Sequence, residues 1–502
     1  MKMIGKRLLA CLLCAVLLLG CGLFGAAEDA PADPPAASDT APFRISCTIN
    51  GDPATQRGFC WYTKAETPSV IELTQADGTP ADAAIDYKDV TAWEGNYMHQ
   101  ALATGLQPGT TYTYRLGDGT TFSQPGVFTT DNKDGQVDFI AVADIQASNL
   151  ENFRRGASTV SAALRTLPTA EFMVNLGDFT NDSTNEEWDY YAQAMDGVSL
   201  QTTLAPIAGN HDGLGVWHWF ENLFCLDTSE SVQNLNGVNY SFEYGNVHIA
   251  VVNTNDLLSV SRAQLRWLRN DLNSTSCDWK IICMHKSPYT LGKDGKWPDA
   301  MYLQRALTKV ADDCGVDLVL SGHDHQYLRT KPLKGNKLDP DGTTYVLAGT
   351  AGTKRYEVRP FLANHFLNTS FIDALVVQRD GWANYWDGED WEQSDPRNVG
   401  GCFSCIRADG GTLTLNAYIL ADAADENGGE VITNVDTLTL TKPVGQNQPT
   451  FTGDNTTSKA AFYLDVVPSF LALAGYTFGE WLPKFLLMLP ELIKVYAEEG
   501  IF

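Results

Sequence analysis

Six short apolar runs between residues 137 and 320 constrain the fold of this chain more than any other feature. The runs are 137–143, 171–176, 205–208, 247–252, 280–284 and 316–320. Segments with helical spacing, such as 152–167, 261–272 and 298–313, lie between them. Continuous apolar runs are typical of strands buried on both faces, and their alternation with helices is typical of βα units. The pattern therefore predicts an α/β fold with buried sheets covered by helices.

Five of these runs end at side chains that commonly bind metal ions. In chain order these are Asp144, then Asp178, then Asn210-His211-Asp212, then His285, and finally His323-Asp324-His325. Ligands of open α/β sheets gather at the carboxyl ends of strands, so we expect these groups to meet in one crevice. Carboxylates, an amide and imidazoles suit borderline or hard divalent ions and Fe(III) rather than thiolate-loving metals. A carboxylate such as Asp178 can bridge two ions ~4 Å apart, which can activate water and clamp a phosphoryl group.

The order and spacing of these motifs resembles the calcineurin-like metallophosphoesterases. The string from Gly322 to Arg329, GHDHQYLR, resembles their purple acid phosphatase branch, as do LQPGTTYTYRLG at 106–117 and FTT at 128–130. Short alternating runs separated by turn clusters between 43 and 131 independently predict a β-sandwich. The resemblance implies a four-layer α-β-β-α metallophosphoesterase domain, preceded by a small all-β domain like fibronectin type III.

The resemblance also implies roles for individual residues, carried over by position. The first metal ion would be held by Asp144, Asp178 and His325. The second would be held by Asp178, Asn210, His285 and His323. His211 would be the general acid that protonates the leaving alcohol, with Asp212 orienting it. An imidazole suits this task because it exchanges protons near neutral pH.

Two positions depart from the family pattern. The family has Asp-x-His at the first motif, or a tyrosinate three residues after the bridging Asp in the purple branch, whereas this chain has Gln146 and Asn181. Without a tyrosinate no purple ferric centre is expected. Gln146 offers only a neutral carbonyl oxygen, so as a metal ligand it would give a weaker first site that favours Mn, Mg or Fe(II). Alternatively, Gln146 binds no metal and positions water or substrate. The expected cofactors are two ions among Fe, Mn and Zn, of uncertain identity.

The N-terminus has the pattern of an export signal. Three basic residues within the first seven precede an apolar run at 8–19, too short for a permanent membrane span. Residues 1–27 are therefore predicted to be a signal peptide. A lipobox-like sequence ending at Cys21 predicts a cell-surface lipoprotein, whereas a small-residue site at 25–27 predicts free secretion, and both remain open. Residues 28–42 are expected to be a disordered tether. In an exported chain disulfides are plausible, and Cys47 with Cys60 is the first candidate.

The remaining chain divides into four segments. They are the β-domain at 43–131, the metallophosphoesterase domain at 135–442, a linker at 443–458 and C-terminal amphipathic helices at 459–502. The apolar runs 466–479 and 485–489 are each shorter than the ~18 residues a spanning helix needs. Two short helices are therefore predicted, either docked on the protein body or resting on a membrane. Membrane attachment could thus come from a lipidated Cys21 or from these helices.

The charge balance limits the class of partner. The chain has 35 Lys and Arg against 61 Asp and Glu, a formal charge of −26. Such a chain is a poor candidate for an extended nucleic-acid surface, so a small phosphate ester is the expected substrate. The leading hypothesis is an exported dinuclear-metal phosphomonoesterase that attacks with a metal-activated hydroxide and uses His211 as acid. The alternatives are a phosphodiesterase or nucleotidase on the same scaffold, and a non-catalytic surface module whose first metal site has decayed.

Overall fold

The structure is a computed structural model. It describes residues 38–213, 219–232, 237–255, 260–292, 294–354, 356, 358, 368–379, 382–386, 391–393, 399–422, 430–457 and 459–498. The predicted signal peptide, Cys21 and residues 28–37 of the predicted tether lie outside the described residues. Residues 39–502 form one compact unit.

Twenty-five strands and seven α-helices make up the described part of the chain. The strands are β1 Phe43–Thr48, β2 Gln56–Thr63, β3 Val70–Gln75, β4 Ala84–Tyr87, β5 Thr91–Trp93, β6 Asn96–Thr104, β7 Thr111–Gly117, β8 Gly126–Thr129, β9 Gln136–Val142, β10 Phe172–Asn175, β11 Thr203–Pro206, β12 Tyr240–Tyr244, β13 Val247–Val252, β14 Trp279–Met284, β15 Leu318–Ser321, β16 Tyr327–Thr330, β17 Leu333–Lys334, β18 Lys337–Leu338, β19 Thr344–Ala348, β20 Ile372–Arg379, β21 Trp382–Trp386, β22 Trp391–Gln393, β23 Val399–Asp409, β24 Thr412–Asp422 and β25 Glu430–Thr441. The helices are α1 Leu150–Thr166, α2 Asn185–Ala194, α3 Trp219–Leu223, α4 Arg262–Ser274, α5 Pro298–Cys314, α6 Lys459–Tyr476 and α7 Leu482–Glu498. Short 3₁₀ turns lie at Asp294–Lys296 and Thr369–Phe371, and a π-helical turn, Thr477–Trp481, joins α6 to α7.

Two large sheets pack face to face at the centre of the molecule. The first has the order β25-β24-β23-β9-β10-β11-β1-β2-β6-β4, with β5 also paired to β6, and the second has the order β12-β13-β14-β15-β19-β16-β20-β21-β22. Within them β9, β10 and β11 are parallel neighbours, as are β13, β14, β15 and β19. Phe172 of the first sheet contacts Phe242 and Tyr244 of the second, with ring centroids 5.5 and 5.0 Å apart.

Helices cover the outer face of each sheet. α1 packs on β9 and β23, whereas α4 packs on β13 and also against α5. α1 buries Phe153 and Val160, and α4 buries Trp267 and Leu268, which are the apolar faces that the helical spacing predicts. The predicted four-layer α-β-β-α arrangement is therefore confirmed.

The N-terminal all-β domain shares a sheet with the catalytic domain. β3, β7 and β8 form a separate three-stranded sheet, and aromatic residues such as Phe59, Tyr114 and Phe128 fill the core beneath it. Its other strands belong to the first large sheet, because β1 pairs in parallel with β11 through Cys47 opposite Thr203. The N-terminal domain is thus a continuous extension of the catalytic sheet.

The predicted pairing of Cys47 with Cys60 is wrong. The two strands are antiparallel neighbours, but Cys47 lies opposite Phe59 and Cys60 lies opposite Ser46. Because successive side chains of a strand point to opposite faces, this offset by one residue places the two sulfurs on different sides of the sheet. Both thiols are buried and free.

The C-terminal segment forms a longer helix than the sequence predicts. α6, the π-helical turn and α7 run from Lys459 to Glu498 without interruption. Residues 461–494 are long and apolar enough, by length and composition, to cross a membrane, and 17% of their apolar stretch is buried against the protein. The prediction of two short helices, neither long enough to span a membrane, is therefore wrong. The helix continues through the charged residues that separate the two apolar runs.

Candidate metal centre

The carboxyl ends of five strands meet at one edge of the two central sheets. Asp144, Asp178 and the Asn210–Asp212 segment follow β9, β10 and β11 of the first sheet. His285 and the His323–His325 segment follow β14 and β15 of the second. The parallel pairing within each sheet brings the ends of neighbouring strands to the same edge, which is why residues far apart in sequence become neighbours.

One group of donor atoms surrounds the ring of His285. Its Nδ1 lies 2.8 Å from the carbonyl oxygen of Leu176, and because a carbonyl can only accept, Nδ1 carries the proton. Its Nε2 is therefore the ring atom that faces the other donors, and it lies 3.0 Å from Asn210 Oδ1, 3.2 Å from His323 Nδ1 and 3.3 Å from Asp178 Oδ1. These four side chains are the predicted ligands of the second metal ion, and the structure brings them together.

A second group of donor atoms consists of Asp144, Asp178 and His325. One ligand atom from each lies within 4.8 Å of the others, as also holds for Asp178, His285 and His323. His325 Nδ1 donates to the carbonyl oxygen of Lys354 at 2.6 Å, which leaves Nε2 directed at Asp144, 3.5 Å from Oδ1. Among the described residues His325 Nε2 has no hydrogen-bond partner although it is buried. Asp178 belongs to both groups, as expected of a carboxylate that bridges two ions.

Several of the predicted ligands share a strained backbone conformation. Five predicted ligands adopt positive φ angles: Asp144 (54°), Gln146 (38°), Asp178 (53°), His323 (81°) and His325 (48°). Non-glycine residues rarely adopt this left-handed region, and such strain clusters at functional sites. Gly177 and Gly209 are required beside them, because a Cβ on Gly177 would lie 2.6 Å from His285 Nδ1 and one on Gly209 only 2.1 Å from Asp178 N. The loops are therefore shaped to bring the donors close.

The electrostatics of the group indicate that a cation belongs there. Burial raises the pKa of Asp144 well above its usual value, with the Asp178 carboxylate adding to the effect. Burial opposes the ionisation of Asp178 too, but neighbouring imidazoles, chiefly His285, hold its pKa below the usual range. Burial lowers the pKa of His325 to about 3, which keeps the ring neutral. Burial opposes a charge on His285, but the Asp178 carboxylate raises its pKa to about 9, so without metal this ring holds the positive charge that a bound cation would replace. Carboxylates and imidazoles are the donors that borderline divalent ions prefer, so the residues fit a dinuclear centre.

Gln146 lies next to this group without a partner of its own. Its backbone N–H donates to the carbonyl oxygen of Asp178 at 2.9 Å, and only 4% of the residue is exposed. Neither Oε1 nor Nε2 of the amide has a hydrogen-bond partner among the described residues. A buried amide with all its bonding capacity unused is compatible with a metal ligand and with a group that holds water or substrate.

The predicted acid, His211, lies at the edge of the group. Its backbone N–H donates to Asp178 Oδ1 at 2.9 Å, and its Nδ1 donates to the carbonyl oxygen of Asn181. Nε2 is thus the ring atom left to exchange a proton. Asp212 contacts the loop backbone: it accepts from Phe179 N and Gly209 N, each at 2.9 Å. Asp212 thus binds the backbone of the loops on either side of His211.

Three further residues beside the centre were missed by the sequence reasoning. The ring of Tyr356 stacks on that of His325 at 4.1 Å, and Lys354 Nζ lies 3.3 Å from Asn181 Oδ1. Asp294 Oδ2 lies 3.7 Å from His323 Nε2. Lys354 and Tyr356 lie in the loop after β19, which is a parallel neighbour of β15, so this loop leaves the sheet at the same edge as the His323–His325 segment.

Comparison with known proteins agrees with this geometry. Residues 137–327 match the model of the calcineurin-like phosphoesterases, and residues 42–130 match that of the purple acid phosphatase N-terminal domain. The chain therefore contains a calcineurin-like phosphoesterase domain preceded by a purple acid phosphatase N-terminal domain. As such, this phosphoesterase is a metal-dependent phosphoester hydrolase.

Individual relatives of this phosphoesterase are distant in sequence. Purple acid phosphatase 22 of Arabidopsis thaliana is 23% identical over 341 residues, which cover 64% of this chain and 74% of the relative. A purple acid phosphatase from yellow lupin seeds superposes with a TM-score of 0.60 at 17% identity, covering 81% of this chain and 75% of its own. The structure of PhoD superposes with a TM-score of 0.55 at 11% identity, covering 87% of this chain and 99% of its own. The two superpositions show that the fold is shared.

Proposed function

We propose that this phosphoesterase is an exported phosphomonoesterase whose active site holds two metal ions. One observation carries the proposal: two groups of N and O donor atoms, the atoms of each group within 4.8 Å of one another, share the single carboxylate of Asp178. Asp144, Asp178 and His325 would hold the first ion. Asp178, Asn210, His285 and His323 would hold the second. When bound, such a pair of ions activates water and clamps a phosphoryl group for in-line displacement.

The protein's own side chains then supply the proton and the positioning. His211 projects from the loop after β11, and its Nδ1 is held by the carbonyl oxygen of Asn181. We assign to its Nε2 the donation of a proton to the leaving alcohol oxygen, which would otherwise depart as an unfavourable alkoxide. Asp212 supports this step indirectly, because its carboxylate binds backbone N–H groups of the loops on either side of the site.

The residues around the first ion indicate which metals it would take. Gln146 stands where the family has a histidine, and Asn181 stands where the purple branch has a tyrosinate. Asn181 Oδ1 instead accepts a hydrogen bond from Lys354 Nζ. With neutral or carboxylate donors and no phenolate at this position, the proposed ions are Mn, Zn or Fe in a centre without the purple ferric colour.

The charge of the chain favours a small substrate. A formal charge of −26 opposes the approach of a polyanion, whereas a small phosphate ester needs only local attraction by the metal centre. Two of the relatives are named as acid phosphatases, which agrees with this proposal. Export is proposed from the N-terminal basic and apolar segment, with Cys21 as a lipid attachment point or with cleavage after Ala27.

A comparison of two chromogenic esters tests the substrate class. With Mn added, para-nitrophenyl phosphate should be hydrolysed with a much higher kcat/KM than bis-para-nitrophenyl phosphate. A strong preference for the diester would overturn the monoesterase proposal in favour of a phosphodiesterase on the same centre. Hydrolysis of neither ester by the metal-loaded enzyme would contradict both.

A further inference from the structure

The C-terminal helix, residues 459–498, is fixed to the protein by one of its faces. Asp465 of α6 forms an ion pair with Arg266 of α4, and Glu480 of the π-helical turn forms one with Arg305 of α5. Trp481 donates its indole N–H to a backbone carbonyl of the turn before α5 at 2.7 Å. These contacts hold the helix along the side of the body and decide which face it turns outward.

The outward face carries a row of large apolar side chains, here called the outer stripe. Each member has between 52% and 77% of its surface exposed. The members are Leu464, Val467, Leu471, Phe478, Leu486 and Ile493. A soluble monomer seldom leaves a continuous apolar surface of this length uncovered, so the stripe indicates a partner.

The helix geometry keeps the outer stripe straight. Leu464, Leu471 and Phe478 are seven residues apart, which is close to two helical turns. The next member, Leu486, comes eight residues after Phe478, and Ile493 comes seven after that. The π-helical turn at Thr477–Trp481 accounts for the extra residue, because it inserts one residue without rotating the helix beyond it. The stripe therefore stays on one side of the helix for about 44 Å.

A helix that crosses a bilayer would not explain these contacts. Crossing would separate Asp465 and Glu480 from their arginine partners and place both carboxylates in hydrocarbon. A straight apolar row on a helix whose polar groups are engaged by the body instead matches a flat surface, as amphipathic helices do when they lie in the interfacial plane.

We propose that the outer stripe lies in the surface of a lipid bilayer, with the phosphoesterase body above it. The short segment before the described residues supports a bilayer as the surface that the stripe contacts. From Cys21 to Ser38 the chain can span at most about 60 Å. A lipid on Cys21 would therefore keep the stripe within reach of the membrane, and a lipid chain plus a second contact gives firmer attachment than either alone. The stripe contains no charged residue and the chain is acidic, so binding draws on apolar burial and does not need anionic lipid.

Vesicle flotation tests the outer stripe alone with residues 28–502, which lack Cys21 and contain the compact unit 39–502. This chain should float with phosphatidylcholine vesicles, and raising the salt about tenfold should leave binding unchanged. The variant Leu464→Gln/Leu471→Gln/Phe478→Gln should bind about a hundredfold more weakly. A matched control replaces three exposed apolar residues elsewhere, Val127→Gln/Leu338→Gln/Val444→Gln, and should bind as the unaltered chain does.

Hydrolysis of para-nitrophenyl phosphate in solution and the thermal melting curve should be unchanged in both variants. A failure of the membrane proposal can therefore be told apart from a failure of the proposed activity. Absence of flotation would overturn the proposal, as would equal binding by the stripe variant and its control. A dimer in sedimentation velocity that the stripe variant dissociates, together with no vesicle binding, would assign the stripe to a second copy of the chain instead.

Discussion

Replacing Gln146 by Leu removes a buried amide while keeping a side chain of similar volume. In the metal-free protein Oε1 and Nε2 of Gln146 have no hydrogen-bond partner among the described residues, and only 4% of the residue is exposed. Burying a polar group without a partner costs about 1–3 kcal/mol. The Gln146→Leu variant should therefore be more stable than the unaltered protein by about that amount when metal is absent.

The same substitution has the opposite effect once metal is bound, if Gln146 is a ligand. A bound ion stabilises the fold in proportion to the logarithm of its concentration over Kd, and each tenfold loss of affinity removes about 1.4 kcal/mol of that stabilisation. Loss of a neutral ligand should lower the affinity for the first metal ion at least about tenfold. If Gln146 only positions water or substrate, the metal-dependent stabilisation stays unchanged and kcat falls instead.

Urea unfolding followed by tryptophan fluorescence, with chelator or with Mn, measures both effects. Gln264→Leu is a matched control: Gln264 is fully buried, and its amide exchanges hydrogen bonds of 2.7 and 2.8 Å with the backbone of Asn253. It should lose about 2–4 kcal/mol with or without metal. If Gln146→Leu destabilises the metal-free protein as much as this control does, the amide is satisfied in the native protein and the reasoning is refuted.

Other substitutions test other parts of the structure. His211→Ala should keep its metal and lose about 10²–10⁴ in kcat, and unchanged turnover would remove His211 from the mechanism. His248 is buried, which opposes its charge, but Asp271 2.7 Å away raises its pKa to about 9 from 6.5. The protonated His248 should therefore add up to about 3 kcal/mol to the free energy of unfolding, fully present below pH ~6.5 and lost as the pH rises through ~9. Urea unfolding at pH 6 and at pH 10 should show this loss of unfolding free energy in the unaltered protein and not in His248→Gln. An equal change of unfolding free energy with pH in the two proteins would contradict it. Arg329→Met should cost up to about 3–5 kcal/mol in urea unfolding, because the Asp436 side chain, only 9% exposed, would lose its cation and keep only the Tyr327 hydroxyl, and a loss below 1 kcal/mol would show that the ion pair contributes little.

The site could be anticipated from sequence because its chemistry is tied to strand ends. Asp144 and His285 directly follow an apolar run, Asp178 follows one after a single glycine, and parallel pairing within each sheet then brings these strand ends to one edge. Lys354 and Tyr356 escaped this reasoning because they lie several residues beyond the end of β19, where loop conformation rather than strand direction determines their position.

Features that depend on pairing between distant residues could not be predicted. The offset that separates Cys47 from Cys60 is a property of strand register, which their spacing in sequence does not reveal. The C-terminal segment was expected to form two short helices, whereas it is helical from Lys459 to Glu498, and Arg266 and Arg305 of the body pair with two of its carboxylates. The parallel pairing of β1 with β11, which unites the two domains in one sheet, joins segments about 150 residues apart in the chain.

Metal content per chain tests the dinuclear centre most directly. The chain of residues 28–502, loaded with Mn or Fe and freed of excess ion, should hold about two ions by mass spectrometry, since Asp178 belongs to both donor groups. Asp178→Asn should fall below one ion per chain and lose ester hydrolysis, whereas the exposed Asp77→Asn should match the unaltered protein. Fewer than about one ion in the unaltered chain, or equal metal content in Asp178→Asn, would contradict a bridged two-metal site.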